Sequence, residues 1–248
     1  RLNYTYDNIY QLTQATRPLP SQPDETFNYD PLGNRLSRDG QTINSTIGSA
    51  NRLLDDTLFT YTYDNNGNLI QKIDKALNVT TDYTYNAENL LIRIDLPNGS
   101  IARYRYDGLG RRIEKDVNAT ITRYVYDNKD ILSEFDGNNT QIARYTHGLG
   151  IDEPLIMERN GQSLFYQTDG LGSIVDLTDI NGSVAQSYVY DSFGNIEQQV
   201  GSLSNPYTYT GREFDSESDL YYYRARYYDS QIGRFINEDP IGVAGGIN

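Results

Sequence analysis

Short segments in which aromatic and polar residues alternate recur along the whole chain, and polar turn sequences separate them. In most of them two aromatic residues stand two positions apart and are followed by Asp and a Gly-containing turn. The first aromatic residue of each pair falls at Tyr4, Phe27, Tyr61, Tyr83, Tyr104, Tyr124, Tyr145, Tyr166, Tyr188 and Tyr207. Because side chains alternate between the two faces of a strand, both members of a pair lie on one face. The pattern therefore predicts a series of β-strands, each with an aromatic face.

The segment that starts at Tyr61 shows how one repeat is predicted to fold. Tyr61 to Asp64 form the first strand, and Leu69 to Asp74 return as the second strand. Between them, Asn65 to Asn68 supply residues that tolerate the positive φ of a hairpin turn. Repeats of about 21 residues follow one another in this way, with one longer gap where a segment near Asp39 to Asp55 is inserted.

Repeats of this kind predict an all-β fold, a repetitive antiparallel meander of hairpins. Helical periodicity is absent over any long window. A single wide sheet must curl or close to protect its faces and edges, so we expect a partial shell. A propeller is the alternative, because two repeats make about 42 residues, the length of one four-stranded blade. The repeats, however, show no doublet alternation and no Gly-His or Trp-Asp blade signature.

Charge and composition narrow the possible partners. The formal net charge is −13, from 21 basic and 34 acidic residues, and there is no Cys. Because phosphate binding needs a basic stripe, nucleic acid is not expected as a partner, and anionic membrane surfaces are disfavoured for the same reason. The absence of Cys excludes disulfides, thiolate nucleophiles and Cys-ligated metals. No apolar run approaches the ~18 residues that a transmembrane helix needs.

Two of the repeats, Tyr61–Leu69 and Tyr104–Arg112, resemble YD repeats. From Tyr145-Thr146-His147-Gly148 onward the chain resembles the RHS repeat-associated core. We therefore expect YD repeats over residues 1–144 and a C-terminally truncated RHS core over residues 145–248.

The most specific part of this resemblance lies near the C-terminus. It is the run from Leu220 to Asp229, Leu-Tyr-Tyr-Tyr-Arg-Ala-Arg-Tyr-Tyr-Asp. It continues through Gly233-Arg234-Phe235 to Asp239-Pro240-Ile241-Gly242. The matches together cover nearly the whole chain.

Proteins of the YD/RHS family wind their repeats into a hollow β-shell. The resemblance therefore implies a structural, encapsulating role: a shell that shields and helps deliver a C-terminal toxin or effector domain not present in this chain. The implied partners are that cargo and the remaining shell repeats of a longer protein. Because a secreted animal protein would be expected to carry some Cys, the bacterial branch of the family is favoured. A secreted or cell-surface location in a bacterium is expected on the same grounds.

Asp239 is the strongest candidate for a catalytic residue. In several members of the family the core cuts the cargo free with aspartates, in a reaction that resembles aspartic proteolysis, where two carboxylates share a proton and activate water. The resemblance implies a second Asp-Pro-x-Gly motif, and the chain ends at Asn248 before one occurs, so we expect an incomplete site. Arg234 is a weaker candidate, because it could orient a carboxylate. The alternatives are a plain turn for Asp239, as in Asp30-Pro31-Leu32-Gly33, and a strand-end surface residue for Arg234.

His147 is the only histidine, and it occupies the second aromatic position of its repeat. No Gly-x-Ser-x-Gly elbow accompanies it, so we predict a packed core residue rather than a catalytic base. The turn Asp64-Asn65-Asn66-Gly67 lacks the spacing of a calcium loop. No cofactor and no metal are expected.

Three functions from different classes remain open on the sequence. The first is the encapsulating shell. The second is a carbohydrate-binding or cell-surface adhesion module, in which exposed tyrosine faces would stack on sugar rings. The third is half of an aspartic autoprotease, which would be inactive in this chain because its partner aspartate is absent. An enzyme complete in this chain is therefore not expected.

Overall fold

The computed structural model describes residues 2–17 and 23–242, which form strands joined by turns together with two single-turn 3-10 helices, Ser49–Asn51 and Tyr209–Gly211. The first nine strands are β1 (Asn3–Tyr6), β2 (Leu12–Thr16), β3 (Glu25–Tyr29), β4 (Arg35–Arg38), β5 (Gln41–Thr42), β6 (Thr46–Ile47), β7 (Leu53–Asp55), β8 (Phe59–Tyr63) and β9 (Leu69–Asp74). The next twelve are β10 (Val79–Tyr85), β11 (Leu91–Asp95), β12 (Ile101–Tyr106), β13 (Arg112–Val117), β14 (Thr120–Asp127), β15 (Asp130–Asp136), β16 (Gln141–His147), β17 (Pro154–Arg159), β18 (Gln162–Thr168), β19 (Ile174–Thr178), β20 (Val184–Tyr190) and β21 (Ile196–Val200). The last four are β22 (Glu213–Asp215), β23 (Leu220–Tyr223), β24 (Arg226–Asp229) and β25 (Arg234–Phe235). The all-β prediction is confirmed.

The chain forms two compact units, of which the first comprises residues 1–81 and 239–248. In this unit β1 to β5 follow one another in a sheet, and β6 to β9 are a second run of neighbouring strands. The pairs β1–β2, β3–β4 and β8–β9 are antiparallel, as the hairpin repeats predict.

The second unit comprises residues 82–238. Strands β10 to β21 succeed one another in chain order in one antiparallel sheet, which we call the wall. Strands β22 to β25 form a separate four-stranded sheet, which we call the inner sheet. Neighbouring repeats of the wall share one continuous sheet, so this unit does not have the separate blades of a propeller. The predicted boundary between residues 144 and 145 lies inside β16 and concerns the type of repeat; it stays a prediction.

The aspartate that follows most of the aromatic pairs organises the hairpin turn. Asp64 Oδ1 accepts hydrogen bonds from the backbone N–H groups of Asn66 and Asn68, both at 2.9 Å. Gly67, at φ +82°, provides the left-handed residue that this turn requires. The Asp107 turn repeats the arrangement, with its Oδ1 accepting from Leu109 N at 2.9 Å and Arg111 N at 3.0 Å. A carboxylate that caps its own turn fixes the register of the two strands.

The second aromatic residue of each repeat follows a break in strand register. Such breaks lie between Thr84 and Tyr85, Arg105 and Tyr106, Val125 and Tyr126, Thr146 and His147, and Val189 and Tyr190. β-Bulges increase the local right-handed twist and bend a strand. A bulge at the same height in successive hairpins therefore gives the sheet a consistent curvature.

In several repeats the polar tip of the second aromatic residue binds the backbone of the preceding repeat. The Tyr106 hydroxyl donates to the Leu91 carbonyl at 2.7 Å, and the Tyr126 hydroxyl donates to the Arg112 carbonyl at 2.9 Å. The wall thus has a ladder of side-chain to backbone bonds in addition to its strand pairing.

The first aromatic residues form the core. Nine of the ten, all except Tyr4, are buried, each with less than a tenth of its surface exposed. The tenth pair departs from the prediction, since Tyr207 makes only an isolated bridge to Glu213 and does not extend the wall. Its ring instead packs edge-on against Tyr145, at 5.2 Å between centroids, and against Tyr166 at 6.1 Å. Edge-to-face contacts at such distances are favourable beyond the area that they bury.

The wall curls around the inner sheet. Two neighbouring residues of β23 show this: Tyr221 donates to the Gly194 carbonyl at 2.7 Å, and the Tyr222 hydroxyl accepts from Arg112 N at 3.1 Å. Arg112 opens β13, and Gly194 lies in the turn after β20. In a flat sheet, strands seven places apart would be separated by roughly 34 Å. Two tyrosines on opposite faces of one strand cannot bridge that distance, so the wall must bend around them.

Candidate functional site

One charged residue on the inner face of the wall connects it to the inner sheet. In each hairpin of the second unit, the residue two positions after the first aromatic residue faces a partner on the returning strand; this residue is Thr168 in β18 and aromatic in the others. The partners are Leu91, Arg112, Ile131, Pro154, Ile174 and Ile196. Arg112 is the one charged residue in this series of residues 82–238, and it is only 1% exposed. A buried guanidinium must be paired and hydrogen-bonded to be stable there.

The inner sheet supplies the partners of Arg112. Its Nη1 donates to Asp215 and its Nη2 donates to Glu213 Oε2 at 2.8 Å, and both acceptors belong to β22. The guanidinium also lies over the Tyr222 ring, 4.3 Å from its centroid. Lys115, which also belongs to β13, binds Asp215 Oδ1 with its Nζ at 2.9 Å. We call Arg112, Lys115, Glu213 and Asp215 the docking cluster.

Burial and charge act in opposite directions on the pKa values of the two carboxylates. Burial acts to raise the pKa of Asp215, but the charges of Arg112 and Lys115 outweigh it, and the pKa lies below its usual value. Burial raises the pKa of Glu213, and its single bond to Arg112 does not compensate. Asp215 is therefore the residue whose charge balances the buried guanidinium.

A second set of ion pairs holds the other end of the inner sheet. Asp152, in the turn after β16, binds Arg212 Nη2 at 2.7 Å through Oδ2 and Arg224 Nη2 at 2.8 Å through Oδ1. Arg224 lies in the β23–β24 turn at φ +61°, and Asp152 itself has φ +58°. We call Asp152, Arg212 and Arg224 the latch. Non-glycine residues in the left-handed region are strained, and the ion pairs help to hold them there.

A cavity of about 230 Å³ lies between the wall and β22. The wall contributes Tyr124, Glu134 and Arg159, β22 contributes Phe214, and the turn after β22 contributes Ser216. Glu134 is paired with Arg159 and also accepts a hydrogen bond from the Tyr145 hydroxyl at 2.9 Å. The cavity therefore has a polar lining whose charges are already partnered.

Comparison with known proteins identifies the group to which this architecture belongs. A family model described as Teneurin YD-shell matches residues 1–243. The chain belongs to the teneurin YD-shell family.

Bacterial relatives carry the same segment. The tRNA3(Ser)-specific nuclease WapA of Bacillus spizizenii is 32% identical over 251 residues, which cover 95% of this chain and 10% of that protein. The double-stranded DNA deaminase toxin A of Burkholderia cenocepacia is 28% identical over 281 residues, which cover 99% of this chain and 19% of that protein. The YD-shell chain thus spans between a tenth and a fifth of the length of these curated relatives.

A solved structure supports the fold. The crystal structure of TcdB2-TccC3 without its hypervariable C-terminal region matches this YD-shell chain with a TM-score of 0.61 at 20% identity. The match covers 100% of this chain and 16% of that one. The likeness shows that the two share a fold.

The candidate residues Asp239 and Arg234 lie in different compact units of the YD-shell chain. Asp239 opens a turn in which its Oδ1 accepts from Ile241 N at 3.1 Å and its carbonyl accepts from Gly242 N at 2.8 Å. These contacts resemble those of Asp30, as the plain-turn alternative predicts. Arg234 is half-buried at the start of β25, opposite Asp229. The catalytic interpretation of both residues stays a prediction.

His147 is half-buried and packs against its neighbours, in agreement with the predicted packing role. Its Nε2 lies 2.9 Å from the Ile131 carbonyl, in the place that a tyrosine hydroxyl takes in neighbouring repeats. Its ring packs edge-on against Tyr207, 5.6 Å away. Among the residues that the structure describes, no three of His, Cys, Asp and Glu are grouped so as to hold a metal ion. Within the same residues, no helix is long and apolar enough to span a bilayer.

Burial of the tyrosines bears on the carbohydrate-binding hypothesis, which depended on exposed aromatic faces. The first aromatic residues are buried except Tyr4, and Tyr106, Tyr126 and Tyr190 use their hydroxyls on backbone carbonyls. The hypothesis therefore loses the observation on which it rested.

Proposed function

We propose that this chain is part of the wall of a YD-shell that encloses a polypeptide, and that the inner sheet closes off that wall. The observation that carries the proposal is the docking cluster. Arg112 is buried among side chains of the inner sheet at a position where the neighbouring repeats have aliphatic residues. Such a match of charge fixes one arrangement of the two sheets, because any other would leave a buried charge without its partner.

The range of the relatives' activities supports an encapsulating role. The same segment of about 250 residues occurs in proteins named as a tRNA nuclease and as a DNA deaminase toxin, and it is only a small part of each. Because these proteins differ in the reaction they are named for, a segment common to them is expected to serve a role other than that reaction. We infer that the partner of this chain is a C-terminal toxin or effector domain of a longer bacterial protein, delivered outside the cell that makes it.

Protection from protease tests this function. The parent protein, expressed through its natural C-terminus, should keep its C-terminal domain resistant to trypsin under conditions that digest the isolated domain. Arg112→Met should abolish the protection, whereas Arg144→Met, at an exposed pair with Glu158, should leave it intact. A C-terminal domain that is digested equally fast with and without the shell would contradict the proposal.

We further propose that Asp239 supplies one carboxylate of an autoproteolytic pair. As a weaker proposal, Arg234 orients a carboxylate. The support is the Asp-Pro-Ile-Gly motif after Gly233-Arg234-Phe235, in the order found in the family that the chain resembles. Intact masses of the parent and of its Asp239→Asn variant test this. Cleavage beyond residue 248 in the parent, and its loss in the variant, is the expected result. A single uncut mass for both proteins would remove the protease role and leave the shell.

A further inference from the structure

The cavity of about 230 Å³ between the wall and β22 contains hydrogen-bonding groups that the protein does not use. It is slightly smaller than the ~300–1,000 Å³ of ordinary small-molecule sites. Thr122, Tyr124, Gln199, Ser204 and Ser216 line it, and within residues 82–238 none of their side chains makes a hydrogen bond. Tyr124 is the most informative of these residues, because its side chain is only 7% exposed. The hydroxyl of a buried tyrosine is expected to make a hydrogen bond within the fold.

The chemistry of the lining favours a neutral ligand with both donors and acceptors. Arg159 is paired with Glu134, and Lys115 is paired with Asp215 and with Glu217 at 3.3 Å. With both cations paired, a strongly anionic group such as phosphate would have to break an existing ion pair. Hydroxyl and amide side chains, by contrast, can donate to carbonyls and accept from N–H groups. A peptide backbone presents both.

The position of the cavity fits an extended peptide. Its lining includes exposed residues, among them Gln199 of β21. β21 is the last strand of its sheet, so no strand of the sheet follows it on its outer side. Sheet edges bind extended peptides by adding them as a further strand, with side-chain pockets beside the edge. Gln199 faces the same side as its buried cross-strand partner Tyr188, towards the cavity.

We propose that the edge of β21 and the adjoining cavity bind one extended segment of the enclosed polypeptide. This rests on the proposed function and adds to it the place where shell and cargo touch. Because the charged groups of the lining are already paired and its other polar groups can donate and accept, the contact tolerates many sequences, as a shell that carries different cargoes requires.

The absence of Cys from this chain makes the proposal testable by site-specific cross-linking. In the parent protein, with cysteines elsewhere replaced by serine, Gln199→Cys is labelled with benzophenone maleimide and irradiated. Gln198→Cys, one residue away on the opposite face of β21, is the matched control. We expect adducts from position 199 to a segment beyond this chain and none from position 198. Adducts from position 199 to the shell alone, or equal adducts from both positions, would overturn the proposal.

Protease protection separates this proposal from the proposed function. A protected C-terminal domain without a cross-link from position 199 rejects the contact site and leaves the shell standing. An unprotected domain without a cross-link rejects both. Ser216→Trp, which fills the cavity from the turn after β22, should remove the cross-link from position 199 while the domain stays protected. An undiminished cross-link in that variant would place the cargo outside the cavity and contradict the proposal.

Discussion

Arg112 of the wall and Asp215 of the inner sheet form an ion pair in which each side chain is only 1% exposed. Removing one member of such a pair leaves a buried charge without compensation, which costs about 3–5 kcal/mol. We therefore expect Arg112→Met to lower the free energy of unfolding by that amount, measured by urea denaturation. Arg144→Met, whose side chain is 61% exposed beside Glu158, should cost less than about 1 kcal/mol.

The coupling free energy between Arg112 and Asp215 tests their ion pair more directly than either single variant does. Because Arg112→Met/Asp215→Asn leaves neither buried charge alone, the double variant should cost less than the sum of the two single variants. We expect a coupling free energy of at least about 1 kcal/mol, from the four urea curves of a double-mutant cycle. Additive costs would mean that the two sheets are held together by packing alone.

The pH dependence of stability should separate the two carboxylates that bind Arg112. The pKa of Asp215 lies below its usual value of 3.8, so the stability it contributes is fully present above that value and is lost as the pH falls through the lowered pKa. The free-energy difference between the protein and Asp215→Asn should therefore stay constant from neutral pH down to about 3.8 and shrink below it. Urea denaturation at a series of pH values measures this difference.

Glu213 should behave in the opposite way. Its pKa is raised above 4.5, so the folded protein gains stability relative to the unfolded chain as the pH falls from the raised pKa towards 4.5. Glu213→Gln should lack that gain and should cost less at neutral pH than Asp215→Asn. Equal costs for the two variants at neutral pH would contradict the assignment of Asp215 as the main counter-charge.

The sequence predicted the hairpins because their causes are local. A pair of aromatics two residues apart, an Asp and a Gly all lie within one repeat, and Asp64 with Gly67 shows that the turn is built from these residues alone. The sequence analysis does not predict the role of Asp as a turn cap, with its Oδ1 accepting two backbone N–H groups. The recurrence of Asp after the second aromatic residue in most repeats is a signal that could have indicated this role.

The docking cluster could not be predicted in the same way. Asp215 lies 103 residues from Arg112 in the chain, and no local pattern connects them. Two adjacent arginines are typical of an exposed surface. Arg111 does pair with the nearby Asp107, whereas Arg112 is buried. A usable signal was present, because Arg112 stands where Leu69, Leu91 and Ile131 stand in other repeats. The exclusion of Tyr207 from the wall also depended on distant contacts, those with Tyr145 and Tyr166.

The close approach of Gly211 to Asp152 of the latch can be tested by substitution. Gly211 has φ +67°, and an added Cβ would lie 2.3 Å from the Asp152 carbonyl oxygen. Gly182 has φ +79° but has nothing within 4 Å of its Cβ position. We expect Gly182→Ala to cost about 1–2 kcal/mol from backbone strain alone. Gly211→Ala should cost clearly more, and amide hydrogen exchange should show the added loss of protection at the β23–β24 turn. Equal costs would mean that the approach of Gly211 to Asp152 does not constrain the inner sheet.

In the ladder of side-chain to backbone bonds, a tyrosine and a histidine occupy equivalent positions in neighbouring repeats. We predict that the two side chains stabilise the wall to a similar extent. The Tyr126 hydroxyl donates to the Arg112 carbonyl at 2.9 Å, and His147 Nε2 lies 2.9 Å from the Ile131 carbonyl. Tyr126→Phe and His147→Phe each remove one such bond, so each should cost about 0.5–1.5 kcal/mol in urea denaturation. Tyr10→Phe is the control, because Tyr10 is 87% exposed, and it should change stability by less than about 0.5 kcal/mol. A cost for His147→Phe far above that for Tyr126→Phe would show that the histidine does more than substitute for a tyrosine in the ladder.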